Sequence, residues 1–140
     1  MDASKVAVGD ELPTYSRAAG FHAWNRFAGV NDEFVDIHMD DDAGRAAGFS
    51  GAFGMGALQW SYLHCMLRQW MEGSGGRIVH VQCQFRGASE KGRIVTAKGV
   101  VTAVRDEADG RYVDLDLWTE VEDGTRLAPG QATVLLPQGV

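Results

Sequence analysis

Cysteine is scarce in this chain, and long apolar runs are missing. Only two cysteines, Cys65 and Cys83, occur among 140 residues. One sits in a helix-like pattern and the other in a strand-like pattern. They make no disulfide framework, and both are expected as small buried hydrophobes in a reducing compartment. No run approaches the ~18 apolar residues that a membrane span needs, so no membrane partner is expected. The opening Met1-Asp2-Ala3-Ser4-Lys5 leads into no apolar stretch, so no signal peptide is expected and the cytoplasm is the expected compartment. Lysines and arginines are scattered rather than clustered, which argues against a nucleic-acid partner. There is no G-x-G-x-x-G turn for a dinucleotide, no internal repeat and no low-complexity tract.

What is present reads as one ordinary globular domain spanning 1–140. Hydrophobic residues make up 45% and charged residues 23%. The net charge of −6 leaves a local anion site open, because binding depends on nearby charges.

Residues 1–13 read as a polar lead-in, and 15–27 are ambiguous. Within them, Phe21 to Ala28 fits a short helix with Trp24, Phe27 and Ala28 on one face. Asp40-Asp41-Asp42 followed by Ala43–Ala47 predicts a second short helix, with carboxylates in its first turn and Gly48 as its stop. Met55, Leu58, Tyr62, Met66 and Trp70 recur every three or four residues, widened by Leu63 and Leu67. This predicts an amphipathic helix of roughly 18 residues, ended by Gly73-Ser74-Gly75-Gly76.

Beyond Gly76 the period becomes two. Val79, Val81, Cys83 and Phe85 alternate with His80, Gln82, Gln84 and Arg86. Strands are also predicted over 93–104, around 113–118 and over about 126–136, with Asp109-Gly110 and Asp123-Gly124 as hairpin turns. Four consecutive strands and one long helix give an α+β class, an antiparallel sheet wrapping the helix.

The candidate chemistry lies in two stretches. The first is Asn31-Asp32-Glu33-Phe34-Val35-Asp36-Ile37-His38-Met39-Asp40. His38 is the proton carrier suited to neutral pH. Glu33 and Asp32 are the candidate acids, five and six residues before it, and the sequence leaves the choice open. On a strand, Asp36, His38 and Asp40 would share a face, but no His/Cys cluster supplies further metal ligands, so a solvated acidic edge is expected there.

The second stretch is the glycine-rich turn Gly48-Phe49-Ser50-Gly51-Ala52-Phe53-Gly54-Met55-Gly56. Gly54 and Gly56 leave the backbone bare where the long helix begins. Its first N–H groups lack intrahelical partners and are placed to donate to a developing oxyanion. Farther along, His64 lies two turns beyond Gly56. It either looks into the same pocket or packs as an ordinary helix histidine. Neighbouring helical positions diverge by ~100°, which excludes a His64–Cys65 dyad.

These residues resemble the MaoC-like dehydratases of the hotdog fold, the group that holds the (R)-specific enoyl-CoA hydratases. The family pattern is an Asp, any residue, Asn-Pro, an aliphatic, His, any residue and Asp. Gly-Phe follows, and then a His-Gly pair opens the central helix. Glu33-Phe34-Val35-Asp36-Ile37-His38-Met39-Asp40, Gly48-Phe49 and Met55-Gly56 stand at those places. The ends, Val8-Gly9-Asp10-Glu11-Leu12-Pro13 and Gly130 to Pro137, match as well, so the resemblance spans nearly the whole chain. Glu33 replaces the catalytic Asp, Val35-Asp36 replaces Asn-Pro, and Met55 replaces the helix-opening His.

The resemblance implies a curved antiparallel sheet around one central helix, dimerised or assembled further, with a heteromer as the alternative. It implies reversible addition of water to a 2-enoyl thioester of CoA. His38 and Glu33 or Asp32 would hold the water. The Gly56 N–H would polarise the thioester carbonyl, and Gly54, Met55 and His64 would contact substrate. Such a reaction needs no metal or redox cofactor. The rival readings are an acyl-CoA thioesterase and a non-catalytic subunit of a heteromeric hydratase.

Overall fold

The computed structural model describes residues 2–137. After a short 3-10 turn at Ala3–Lys5, the elements are β1 (Tyr15–Ala18), α1 (Phe21–Asn31), α2 (Asp36–Met39), α3 (Asp41–Ala46), β2 (Phe53–Gly54), α4 (Gly56–Trp70), β3 (Arg77–Cys83), β4 (Ser89–Glu90), β5 (Ile94–Glu107), β6 (Gly110–Glu120) and β7 (Gly130–Leu136). Five strands form an antiparallel sheet in the order β1-β5-β6-β7-β3, and β2 pairs with β4 as a small separate ribbon.

α4 is the predicted central helix, with Met55 as its N-cap residue and 15 helical residues rather than 18. Its stripe of Leu58, Tyr62, Leu63, Met66 and Leu67 is buried. Opposite it lie the inward-facing residues of three strands, including Val95, Val101, Val113, Leu115, Leu117, Ala132 and Val134. Each such side chain taken from water contributes roughly 1.5–3 kcal/mol, so this interface dominates the core. After the helix, Ser74 Oγ donates to the Met71 carbonyl at 2.7 Å, and Gly73 and Gly75 adopt left-handed φ angles.

The structure corrects several expectations. Of the four predicted strands after α4, the last three pair in chain order, but the first does not. β3 crosses to the far edge and pairs with β7, so it flanks the last strand and not the next one. A bulge between Ile78 and His80 shifts the alternation: Ile78, Val81 and Cys83 pack toward the core, while Val79 turns out at 45% exposure. The ladder ends at Cys83, which leaves Phe85 outside it, and the last strand starts at Gly130 and not near Arg126. The edge strand β1 was not anticipated, because its Ser16 and Arg17 break any apolar alternation. Cys65 is exposed on α4, not buried, while Cys83 is half-buried and its thiol is pushed up by that burial. Among the described residues no helix is long and apolar enough to cross a membrane.

Candidate active site

The segment between α1 and α4 folds back onto the turn that leads into α4, where His38 meets Phe53 and Asp41 meets Ala52. α1 ends on Asp32, whose φ of 54° is the left-handed conformation of a helix stop. The Asp32 side chain is exposed, whereas Glu33 is half-buried and its N–H donates to the Ala28 carbonyl at 3.2 Å. His38 does not lie on a strand. Asp36 to Met39 form one helical turn, so Asp36, His38 and Asp40 do not share a strand face. Asp40 has a structural task of its own: its carboxylate accepts from the Ala43 N–H at 2.9 Å and caps α3. Among the described residues no group of three His, Cys, Asp or Glu side chains converges for a metal.

His38 is 8% exposed. Its Nδ1 lies 2.7 Å from the Phe53 carbonyl oxygen. A carbonyl only accepts, so Nδ1 carries a proton, and in the neutral ring Nε2 is then the acceptor. The ring also meets the Phe53 ring edge-on, with centroids 5.2 Å apart. One residue thus fixes both the tautomer and the orientation of the imidazole, and that residue directly precedes Gly54, Met55 and Gly56. No ion pair or hydrogen bond joins His38 to Asp32 or Glu33 among the described residues.

Close packing dictates the glycines at the helix start. A Cβ on Gly54 would fall 2.1 Å from Ser89 Oγ and 2.6 Å from Trp24 Nε1. One on Gly56 would fall 2.7 Å from the Phe85 ring. No side chain caps α4, so its first N–H groups keep no side-chain acceptor. The turn is anchored by Asp41, which accepts from the Ala52 N–H at 3.0 Å and from Lys91 Nζ at 2.6 Å. The lysine contact, and then the backbone one, hold the Asp41 carboxyl below its usual range.

A cleft of about 270 Å³ opens at this helix start, lined by Phe49, Phe53, Gly54, Gly56, Gln59, Phe85 and the Arg86–Ala88 stretch. His38 stands one layer behind it, against the lining residue Phe53. Two expected substrate contacts are not in this lining. The Met55 side chain is fully buried in the core. His64 instead stacks on Trp60, with centroids 3.9 Å apart, and its Nδ1 meets the Trp60 carbonyl at 3.0 Å, which ties it to the outer surface of α4.

The sequence reading missed the three phenylalanines and Gln59. Phe49 and Phe53 flank the glycine turn, a signal visible in the sequence. Phe85 was hidden by its apparent strand alternation. Gln59 is 2% exposed, accepts from Thr119 Oγ1 at 2.6 Å and donates to the Gly87 carbonyl at 3.1 Å.

No protein-family model and no curated protein matches the sequence. Solved structures do match. An (R)-hydratase from A. caviae involved in PHA biosynthesis is 25% identical, with a TM-score of 0.85 over 96% of this chain and 100% of the other. A MaoC-like dehydratase from Rhodospirillum rubrum is 17% identical, with a TM-score of 0.81 over 100% and 99%. A chain of the ChsH1–ChsH2 complex from Mycobacterium tuberculosis is 19% identical, with a TM-score of 0.81 over 94% and 98%. This chain has the hotdog fold of these (R)-hydratase and MaoC-like structures. In hotdog terms α4 is the filling and the five-stranded sheet the wrapping, and the stretch Glu33 to Asp40 lies in the segment packed against Phe53, just before the filling begins.

Proposed function

We propose that this MaoC-like chain adds water reversibly to a 2-enoyl thioester of CoA. One observation carries the reading: His38 Nδ1 is committed to the carbonyl of Phe53, three residues before Gly56 and the uncapped start of α4, which leaves Nε2 for the reaction. In the proposed mechanism the imidazole and the Glu33 carboxylate hold a water molecule. One takes its proton as the oxygen attacks the β-carbon, and the other delivers a proton to the α-carbon. Glu33 is preferred to Asp32 because it is half-buried, while Asp32 is exposed in the helix-stop conformation. The Gly56 N–H polarises the thioester oxygen and stabilises the enolate-like charge; losing one such donor typically costs ~3 kcal/mol in the barrier. The apolar cleft takes the acyl group, with Gly54 in its wall. The chemistry asks for no metal or redox cofactor.

The assay is incubation with crotonyl-CoA. Loss of enoyl absorbance without free thiol supports hydration, free thiol supports the thioesterase alternative, and neither sinks both. The second reading, a subunit that completes a partner's pocket, is favoured by Val35-Asp36 and Met55 at the motif positions and by the absence of a direct contact from His38 to either acid. Activity appearing only after co-expression with a partner would establish it. We propose assembly through β3, whose outer edge is unpaired among the described residues and carries exposed Val79, with a homodimer expected by light scattering. The unpaired cysteines accord with a cytoplasmic setting.

A further inference from the structure

We infer that Phe85 is the specificity-determining wall of the acyl cleft, and that the acyl group it admits is short. The inference rests on the proposed hydratase reading and deepens it. Phe85 is 55% exposed, yet its ring lies directly on the Cα of Gly56, where a Cβ would meet Cδ2 at 2.7 Å and Cγ and Cε2 at 2.9 Å. The ring therefore presses on the backbone that opens α4, beside the N–H that the thioester oxygen would use.

Its mount cannot retreat. The Gln84 N–H donates to the Pro129 carbonyl at 2.9 Å, and the N–H groups of Arg86 and Gly87 donate to the Leu127 carbonyl at 2.8 and 2.9 Å. Gln59, held by Thr119, fixes the Gly87 carbonyl from the helix side. The other wall is aromatic too: the Phe49 and Phe53 rings meet at 4.1 Å, tilted by 38°. The gap between these walls, about 270 Å³, falls just below the range of small-molecule sites, which run from about 300 to 1,000 Å³. A short enoyl group fits between two aromatic walls. A long chain must displace the Phe85 ring, which is the only part of its wall that the backbone does not pin.

The test compares wild type with Phe85→Ala and Phe85→Leu. Binding of S-butyl-CoA and S-decyl-CoA thioethers is measured by calorimetry, and turnover is measured on crotonyl-CoA and trans-2-decenoyl-CoA. Wild type should gain nothing from the longer thioether. Phe85→Ala should bind it at least ~10-fold tighter than the shorter one, with Phe85→Leu between, because each newly buried methylene adds affinity. The decenoyl-to-crotonyl ratio of kcat/KM should rise by a similar factor. The exposed position makes all three proteins foldable, which melting curves check. Equal chain-length dependence in wild type and Phe85→Ala overturns the inference while turnover leaves the hydratase reading standing. Binding that follows the expected pattern without turnover keeps the inference and sinks the reading. No binding of either thioether to wild type overturns the inference.

Discussion

Two regions of this chain are held together by different physics. Across α4 and the three central strands, buried side chains recur with helical or strand period, and α4 alone buries Leu58, Gln59, Tyr62, Leu63, Met66 and Leu67. From Gly29 to Gly51 only His38, Gly44 and Gly51 are buried. That overlying segment is positioned by single polar contacts: His38 to the Phe53 carbonyl, Asp40 to the Ala43 N–H, and Asp41 to Ala52 and Lys91. The body owes its stability to area removed from water, which many residues share. The overlay owes its geometry to a few directional bonds, each without a substitute. Damage to the body should therefore appear as lost stability. Damage to the overlay should appear as lost activity in a molecule that still folds.

The widest separation is expected at His38. His38→Ala should lower kcat on crotonyl-CoA by ~10²–10⁴-fold with little change in melting temperature. Retained rate would remove His38 from the mechanism. Leu63→Ala, at the centre of the helix–sheet contact, should do the reverse. It should cost ~2–5 kcal/mol in denaturant unfolding and leave turnover per folded molecule unchanged. If it lowers kcat as His38→Ala does, the two regions are not separable in this way. Asp40→Ala removes the α3 cap at a cost of ~0.5–2 kcal/mol and should loosen hydrogen exchange in 41–48 while leaving the α4 amides protected.

A last effect, confined to alkaline conditions, is a pH dependence within the body. Burial first, then the nearby Tyr15, pushes the Tyr62 hydroxyl up to about 12 from an ordinary 10.0. The neutral form is favoured in the fold. Its contribution is complete below about 10 and fades as pH rises toward about 12, where unfolding releases the proton more readily. Tyr62→Phe should flatten that stretch of the stability curve and remove the last tyrosinate absorbance step. An unchanged profile would assign the alkaline loss elsewhere.

Much of the body was readable from residue order. The three-and-four spacing from Met55 to Trp70 gave the helix and its buried face, and the Asp109-Gly110 turn gave the β5–β6 hairpin. The aspartates from Asp40 to Asp42 gave the start of α3. What failed was non-local. The bulge at Ile78/His80 reset the β3 alternation, and β3 crossed to the far edge, since strand order follows from three-dimensional closure and not from sequence adjacency. His64 had a plausible spacing, but its ring stacked on Trp60.

By itself, then, the sequence determined the local matters: which stretches are helical or extended, where the glycines bare the backbone, and which histidine and acids lie near each other along the chain. Those depend on periodicity and on contacts a few residues apart. Only the tertiary structure decided the partner of the His38 ring, the half-burial of Glu33 beside an exposed Asp32, and the seating of Phe85 on Gly56. Each of these depends on atoms far apart in sequence meeting at a distance of ångströms, and no residue pattern encodes that before the sheet closes on its helix.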